Sequence, residues 1–175
     1  MYNDKQKLDI LWLDIETTGL DPEKDTIVEI GYVKTDYLCQ EIKVKNSMLL
    51  NPIYVDNPLK DCIDAFKINN YLNRALIEDK VWKPGMMLET FINDARGTRL
   101  AGANIGAFDY QFLHRAVFKN LYATLENYLG DYHFIDVSSV AAPLLITGEV
   151  DKLSMSSSLS KFFGFDVEPI PHLAL

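Results

Sequence analysis

Residues 8–15 (LDILWLDI) are almost unbroken apolar side chains, interrupted only by Asp9 and Asp14. A strand that is apolar on both faces is buried on both, so it belongs in the centre of a sheet covered by helices. The rest of the chain has to be arranged around it. Residues 26–35 (TIVEIGYVKT) read as a second strand rich in β-branched residues, and residues 40–50 (QEIKVKNSMLL) as a third that alternates at first. The short connections predict an antiparallel meander. Between the first two strands, residues 18–22 predict a turn, in which Gly19 tolerates positive φ and Pro22 stops the ladder.

From residue 57 the period changes to that of helices. Ile63, Phe66 and Lys67 predict one short helix and residues 71–78 another. A third starts at Pro84 and carries Met87, Leu88, Phe91, Ile92 and Ala95 at helical spacing. Residues 100–104 (LAGAN) read as a short buried strand. A helix with Phe108, Phe112, Leu113, Ala116 and Val117 on one stripe follows. Residues 133–137 predict a fifth strand, and residues 138–145 and 159–163 two more helices. Strands first, then strand and helix in alternation, predict a mixed sheet with helices packed on it, a single α/β domain over residues 1–175.

Charge narrows the functional classes. The 17 basic and 25 acidic residues leave a net charge of −8 and a pI near 4.8. That balance argues against a broad basic face on duplex phosphates. A phosphate would have to be met locally, for instance by metal ions on carboxylates. Cys39 and Cys62 are too few for a disulfide framework and read as reduced thiols of a cytoplasmic protein. No run approaches the ~18 apolar residues of a membrane span, which predicts no membrane partner.

The chemistry concentrates at residues 14–19 (DIETTG). Residues i and i+2 of a strand share a face, so Asp14 and Glu16 project together. Two adjacent carboxylates on a buried strand repel and lose hydration, which calls for a shared proton or a cation. Hard oxygen ligands suit Mg²⁺ or Mn²⁺. The plainer alternative is a strand that ends there, with both acids solvated. Asp109 stands where the fourth strand passes into a helix, after the glycine-containing segment 104–108 (NIGAF). An acid in a first helical turn is also favoured by the helix dipole alone. Of the three histidines, His114 and His133 read as ordinary helix and strand residues, whereas His172 follows the stiff segment Pro169-Ile170-Pro171. A histidine there could be a cap, or a general base near neutral pH.

Taken together, residues 14–22 (DIETTGLDP) followed by residues 27–31 (IVEIG) resemble the first motif of the DEDD superfamily of 3′-to-5′ exonucleases. Gly102-Ala103-Asn104 through Phe108-Asp109 and Phe112-Leu113 resemble its second motif. Residues 172–175 (HLAL) resemble the start of the third motif in the histidine subclass, which includes oligoribonuclease and polymerase proofreading subunits. Residues 135–138 (IDVS) resemble the strand before it. The resemblance implies a ribonuclease-H-like fold, a mixed five-stranded sheet in order 3-2-1-4-5. It implies Asp14, Glu16 and Asp109 as metal ligands and His172 as the base that deprotonates the attacking water. It implies Thr17, Thr18, Gly19, Leu20 and Asn104 at the 3′-terminal nucleotide, through backbone and an apolar wedge against the base. The family's third motif continues to an Asp that would be the fourth metal ligand. The chain ends at Leu175, before that Asp, which predicts a chain cut within the motif and lacking its C-terminal helix. No dinucleotide-binding residues of oligoribonuclease align with residues 62–81.

The implied activity is two-metal hydrolysis at the 3′ end of single-stranded DNA or RNA, with two Mg²⁺ or Mn²⁺ ions about 4 Å apart. Gripping only the last nucleotides is compatible with the acidic pI. Two other readings stay open at this level: an inert module that binds nucleic-acid ends or a protein, and a phosphoesterase of free nucleotides. DNA or RNA preference, substrate length and homodimerisation are left open by the sequence.

Overall fold

The computed structural model describes residues 7–55, 63–77, 81–154 and 158–164. Its sheet has the order β3-β2-β1-β4-β5. The strands are β1 (Ile10–Thr17), β2 (Ile27–Thr35), β3 (Ile42–Leu49), β4 (Arg99–Gly102) and β5 (Ile135–Asp136). β1 is antiparallel to β2, and β2 to β3, as the short connections require. β4 and β5 run parallel to β1. The apolar run at residues 8–15 is thus the central strand. Its ladder continues through Glu16 and Thr17 because β2 supplies Glu29 and Ile27 opposite them.

The helices are α1 (Ile63–Asn69), α2 (Tyr71–Ile77), α3 (Pro84–Ala95), α4 (Asp109–Leu121), α5 (Val137–Val140), α6 (Ala142–Ile146) and α7 (Ser160–Phe162). α1 and α2 are separated by Asn70, in the left-handed region at φ 51°. α3 buries Met87, Leu88, Phe91, Ile92 and Ala95, and α4 buries Phe112, Leu113 and Val117. With Leu11, Leu13, Ile15, Ile30, Tyr32 and Leu100 from the sheet they form the core. Each buried Leu, Ile, Val, Met or Phe among them stabilises the fold by about 1.5–3 kcal/mol. A smaller cluster of Ala141, Val150 and Leu159 lies apart.

Two expectations are adjusted. The single helix over residues 138–145 is two short ones, because Pro143 opens α6 and brings no N–H to a continuous helix. The fifth strand is only Ile135–Asp136, since the Asp136 carboxylate accepts from Ser138 N at 3.0 Å and starts α5. No helix among the described residues is long and apolar enough to cross a membrane.

Candidate active site

Parallel pairing of β1 with β4 covers only Ile10↔Arg99, Leu11↔Leu100 and Trp12↔Ala101. Gly102 closes the seam: a Cβ there would stand 2.7 Å from the carbonyl oxygen of Leu13, so only glycine lets β4 approach. Beyond this point β4 turns away and the C-terminal half of β1 has an open edge. α4 fills it. The Asp109 carboxylate accepts the Ile15 backbone N–H at 3.1 Å, replacing a ladder bond. Asp109 is only 3% exposed. The turn before α4 is set by Asn104, left-handed at φ 59°, whose carbonyl accepts from Ala107 N and Phe108 N at 3.1 and 3.2 Å. Asn104 N donates to Asp136 at 2.9 Å, tying this turn to the end of β5.

Asp14 is exposed and Glu16 half-buried, sharing one face of β1 as their spacing predicts. Burial, then the charges of Asp14 and Glu29, push the Glu16 carboxyl up to about 7, against a hydrogen bond from Asn69 and the nearby Arg74. Burial, then the charge of Asp14, likewise pushes Asp109 up to about 7, against backbone hydrogen bonds. Asp14 therefore acts electrostatically on both other acids at the open end of the β1–β4 seam.

The segment after β1 is a rigid turn built on Asp25. Its carboxylate accepts Thr18 Oγ1 at 3.1 Å and Asp21 N at 2.9 Å, while Thr18 N bonds Thr26 O at 3.0 Å. The Asp25 carboxylate lies where a Gly19 Cβ would be, 2.5 Å away. Gly19 is thus required for space; among the described glycines, positive φ occurs at Gly97, Gly148 and Gly164 and not at Gly19. Thr17 and Thr18 are buried, and their hydroxyls are committed, Thr17 Oγ1 to Gly19 O at 2.5 Å. They offer a ligand backbone rather than hydroxyls. Leu20, by contrast, is 84% exposed. Gly106 faces the Phe134 ring, so its smallness serves packing.

Three residues given no role from the sequence complete the setting, Glu29 among them although it stands within the first motif. Asn69 is buried, donates to Thr17 O at 3.3 Å and hydrogen-bonds Glu16. Glu29, cross-strand partner of Glu16, is 1% exposed, and Arg74 grips it with Nη1–Oε2 at 2.6 Å and Nη2–Oε1 at 2.8 Å. A charged residue inside TIVEIGYV was the available signal for Glu29. His172 and Cys62 lie outside the described residues. His133 and His114 pair with Asp131 and Glu126, at 2.8 and 3.5 Å.

The donor set suits a hard divalent cation in kind: three carboxylates, two of them held up near 7 by burial and by a neighbouring acid. Among the described residues, no group of three acidic, histidine or cysteine side chains is already gathered around one point. Shared ligation would need the carboxylates to turn together, and Asp14, the most exposed of the three, has the most room to do so.

Residues 11–145 match the RNase_T family, described as exonuclease. An oligoribonuclease of Actinobacillus pleuropneumoniae is 27% identical over 139 residues, 75% of this chain and 71% of that protein. An oligoribonuclease of Paracidovorax citrulli is 36% identical over 74 residues, so the match spans 42% of this chain and 37% of that protein. Escherichia coli exonuclease I, solved with a dT13 oligonucleotide, superposes with a TM-score of 0.76 at 16% identity over 95% of this chain and 38% of that one. Exonuclease I of Methylocaldum szegediense gives 0.74 at 19% identity, over 96% and 37%. At that identity the likeness is one of fold: the ribonuclease-H-like sheet and its flanking helices.

Proposed function

The chain belongs to the RNase_T exonuclease family, and on that premise we propose that it removes nucleotides from the 3′ end of single-stranded DNA or RNA with the help of Mg²⁺ or Mn²⁺. The observation that carries the proposal is the bond from Ile15 N to the buried Asp109 at the open end of the β1–β4 seam, with Asp14 acting on both Glu16 and Asp109. These three carboxylates would hold the metal. Two ions bound there would supply an ionised water and neutralise charge on the scissile phosphate.

The protein's own groups do the rest. Leu20 wedges against the terminal base, and backbone of Thr17, Thr18 and Gly19 lines the path of the last sugar. Asp25 keeps that turn rigid, so little ordering is required on binding. Asn104 presents an exposed side chain from the turn before α4. His172 accepts the proton of the attacking water, a role that rests on the motif resemblance. Cytoplasmic location belongs to the same reading.

The test is a 5′-labelled single-stranded ladder, DNA and RNA in parallel, with Mn²⁺ or EDTA. Stepwise shortening from the 3′ end that EDTA stops is the expected result; internal cuts, or hydrolysis of free nucleotides alone, would overturn the proposal. A second reading, an end-binding module that does not cleave, is favoured by the lack of a ready-made three-ligand cluster among the described residues. It predicts stoichiometric binding of 3′ ends with no metal-dependent product.

A further inference from the structure

Glu16 and Glu29 are a directly opposed cross-strand pair on β1 and β2. Two carboxylates so placed repel, and they are the same chemical group, equally able to ligate a cation. The structure treats them differently. Arg74 of α2 takes both oxygens of Glu29 in a fork, at 2.6 and 2.8 Å, and Ser47 of β3 donates to Oε1 at 2.7 Å. Glu29 is thereby paired through both oxygens, held in place and buried to 1% exposure. Glu16 is half-buried and is steadied by Asn69, whose side-chain oxygen caps Tyr71 N at 3.1 Å at the start of α2. One short helix and its cap therefore reach both acids, clamping one and steadying the other.

We propose that Arg74 is a positioning residue that decides which of the two glutamates serves the site: by occupying both oxygens of Glu29 it leaves Glu16 as the ligand and prevents Glu29 from competing for the cation. The inference rests on the exonuclease reading and adds a residue to it. The bidentate fork matters as well as the charge, because a lysine would leave one Glu29 oxygen without a cationic partner.

Mn²⁺ binding and turnover are to be measured on the wild type, the single variants Arg74→Met and Arg74→Lys, and the double variant Arg74→Met/Glu29→Gln, with Mn²⁺ affinity measured also on Glu29→Gln alone and on Arg74→Lys/Glu29→Gln, each shown to be folded by circular dichroism. Arg74→Lys keeps the test informative if Arg74→Met does not fold. Displacing a catalytic group by about 1 Å costs on the order of 10²-fold, so kcat should fall about 10- to 100-fold in either single variant with little change in KM. The double variant should recover most of it, since the Glu29→Gln change removes the competing carboxylate. Binding gives a readout independent of turnover. Glu29→Gln should leave Mn²⁺ affinity unchanged in the wild-type background and alter it in the Arg74→Lys background, where the competing carboxylate is exposed to the cation. Folded single variants with wild-type kcat, or a double variant no better than Arg74→Met, would overturn the inference while leaving the exonuclease reading intact. A wild type that neither binds Mn²⁺ nor shortens a strand would overturn that reading and the inference with it.

Discussion

Replacing Asp109 by Asn should stabilise the metal-free protein at alkaline pH relative to its effect at acid pH. The Asp109 carboxyl is raised from 3.8 to about 7 by burial and by Asp14. A carboxyl raised on folding is protonated in the native state while the unfolded chain has already released its proton. Its contribution is therefore complete below pH 3.8 and is lost as pH rises through about 7. Roughly three pH units at 1.36 kcal/mol each make about 4 kcal/mol in all. A little over one unit of this has gone by pH 5, which leaves about 2.5 kcal/mol to disappear between pH 5 and pH 8. Asn cannot ionise, yet its carbonyl oxygen can still accept the Ile15 N–H. Its amide adds a donor to a buried place, a cost of about 1–3 kcal/mol that does not vary with pH. The stability difference, variant minus wild type, should thus rise by about 2.5 kcal/mol from pH 5 to pH 8. Urea unfolding in EDTA at both pH values would show it as a relative midpoint shift of roughly 1 M for a slope of about 2 kcal/mol/M. A difference that stays constant with pH would refute the assignment of Asp109 as a buried acid strained by Asp14.

Three further outcomes are expected. Asp14→Ala should abolish Mn²⁺-dependent shortening of a labelled strand without lowering the unfolding midpoint in EDTA, because it relieves repulsion on Glu16 and Asp109; cleavage unchanged from the parent would place the metal elsewhere. Gly102→Ala should destabilise by about 1–3 kcal/mol, since its Cβ meets the Leu13 carbonyl, and chemical denaturation at fixed pH measures it. Leu20→Ala should raise KM for a short single strand several-fold with the fold untouched, as its side chain is exposed; steady-state kinetics beside a melting curve separate the two effects.

Much of this arrangement was legible in the sequence because its signals are local. The double-faced apolar run identified the central strand, and the i, i+2 spacing put Asp14 and Glu16 on one face. The turn into α4 placed Asp109 where a strand passes into a helix, and the strand order was implied by the family the three motifs resemble. What was not legible depends on contacts between distant segments. Arg74 meets Glu29 across 45 positions, and Asn69 meets Thr17 across 52. Neither α1 nor α2 carries a local pattern that would announce this. Gly19 has a reason of the same kind: turn chemistry calls for a residue that tolerates positive φ, whereas the close approach of Asp25 is what excludes a side chain. Pro143 was visible inside the stretch read as one helix, and its missing N–H is what divides that stretch.

The bond from Ile15 N to Asp109 gives the site a built-in reporter. An amide at an open strand edge would exchange freely with solvent, and this one is shielded by a carboxylate that is also a candidate ligand. Whatever draws Asp109 toward a cation lengthens or breaks that bond, so the proton resonance and deuterium uptake of a single backbone amide follow occupancy of the site. Residue-resolved exchange at Ile15 would then give a metal titration curve without substrate, product or any label on the nucleic acid.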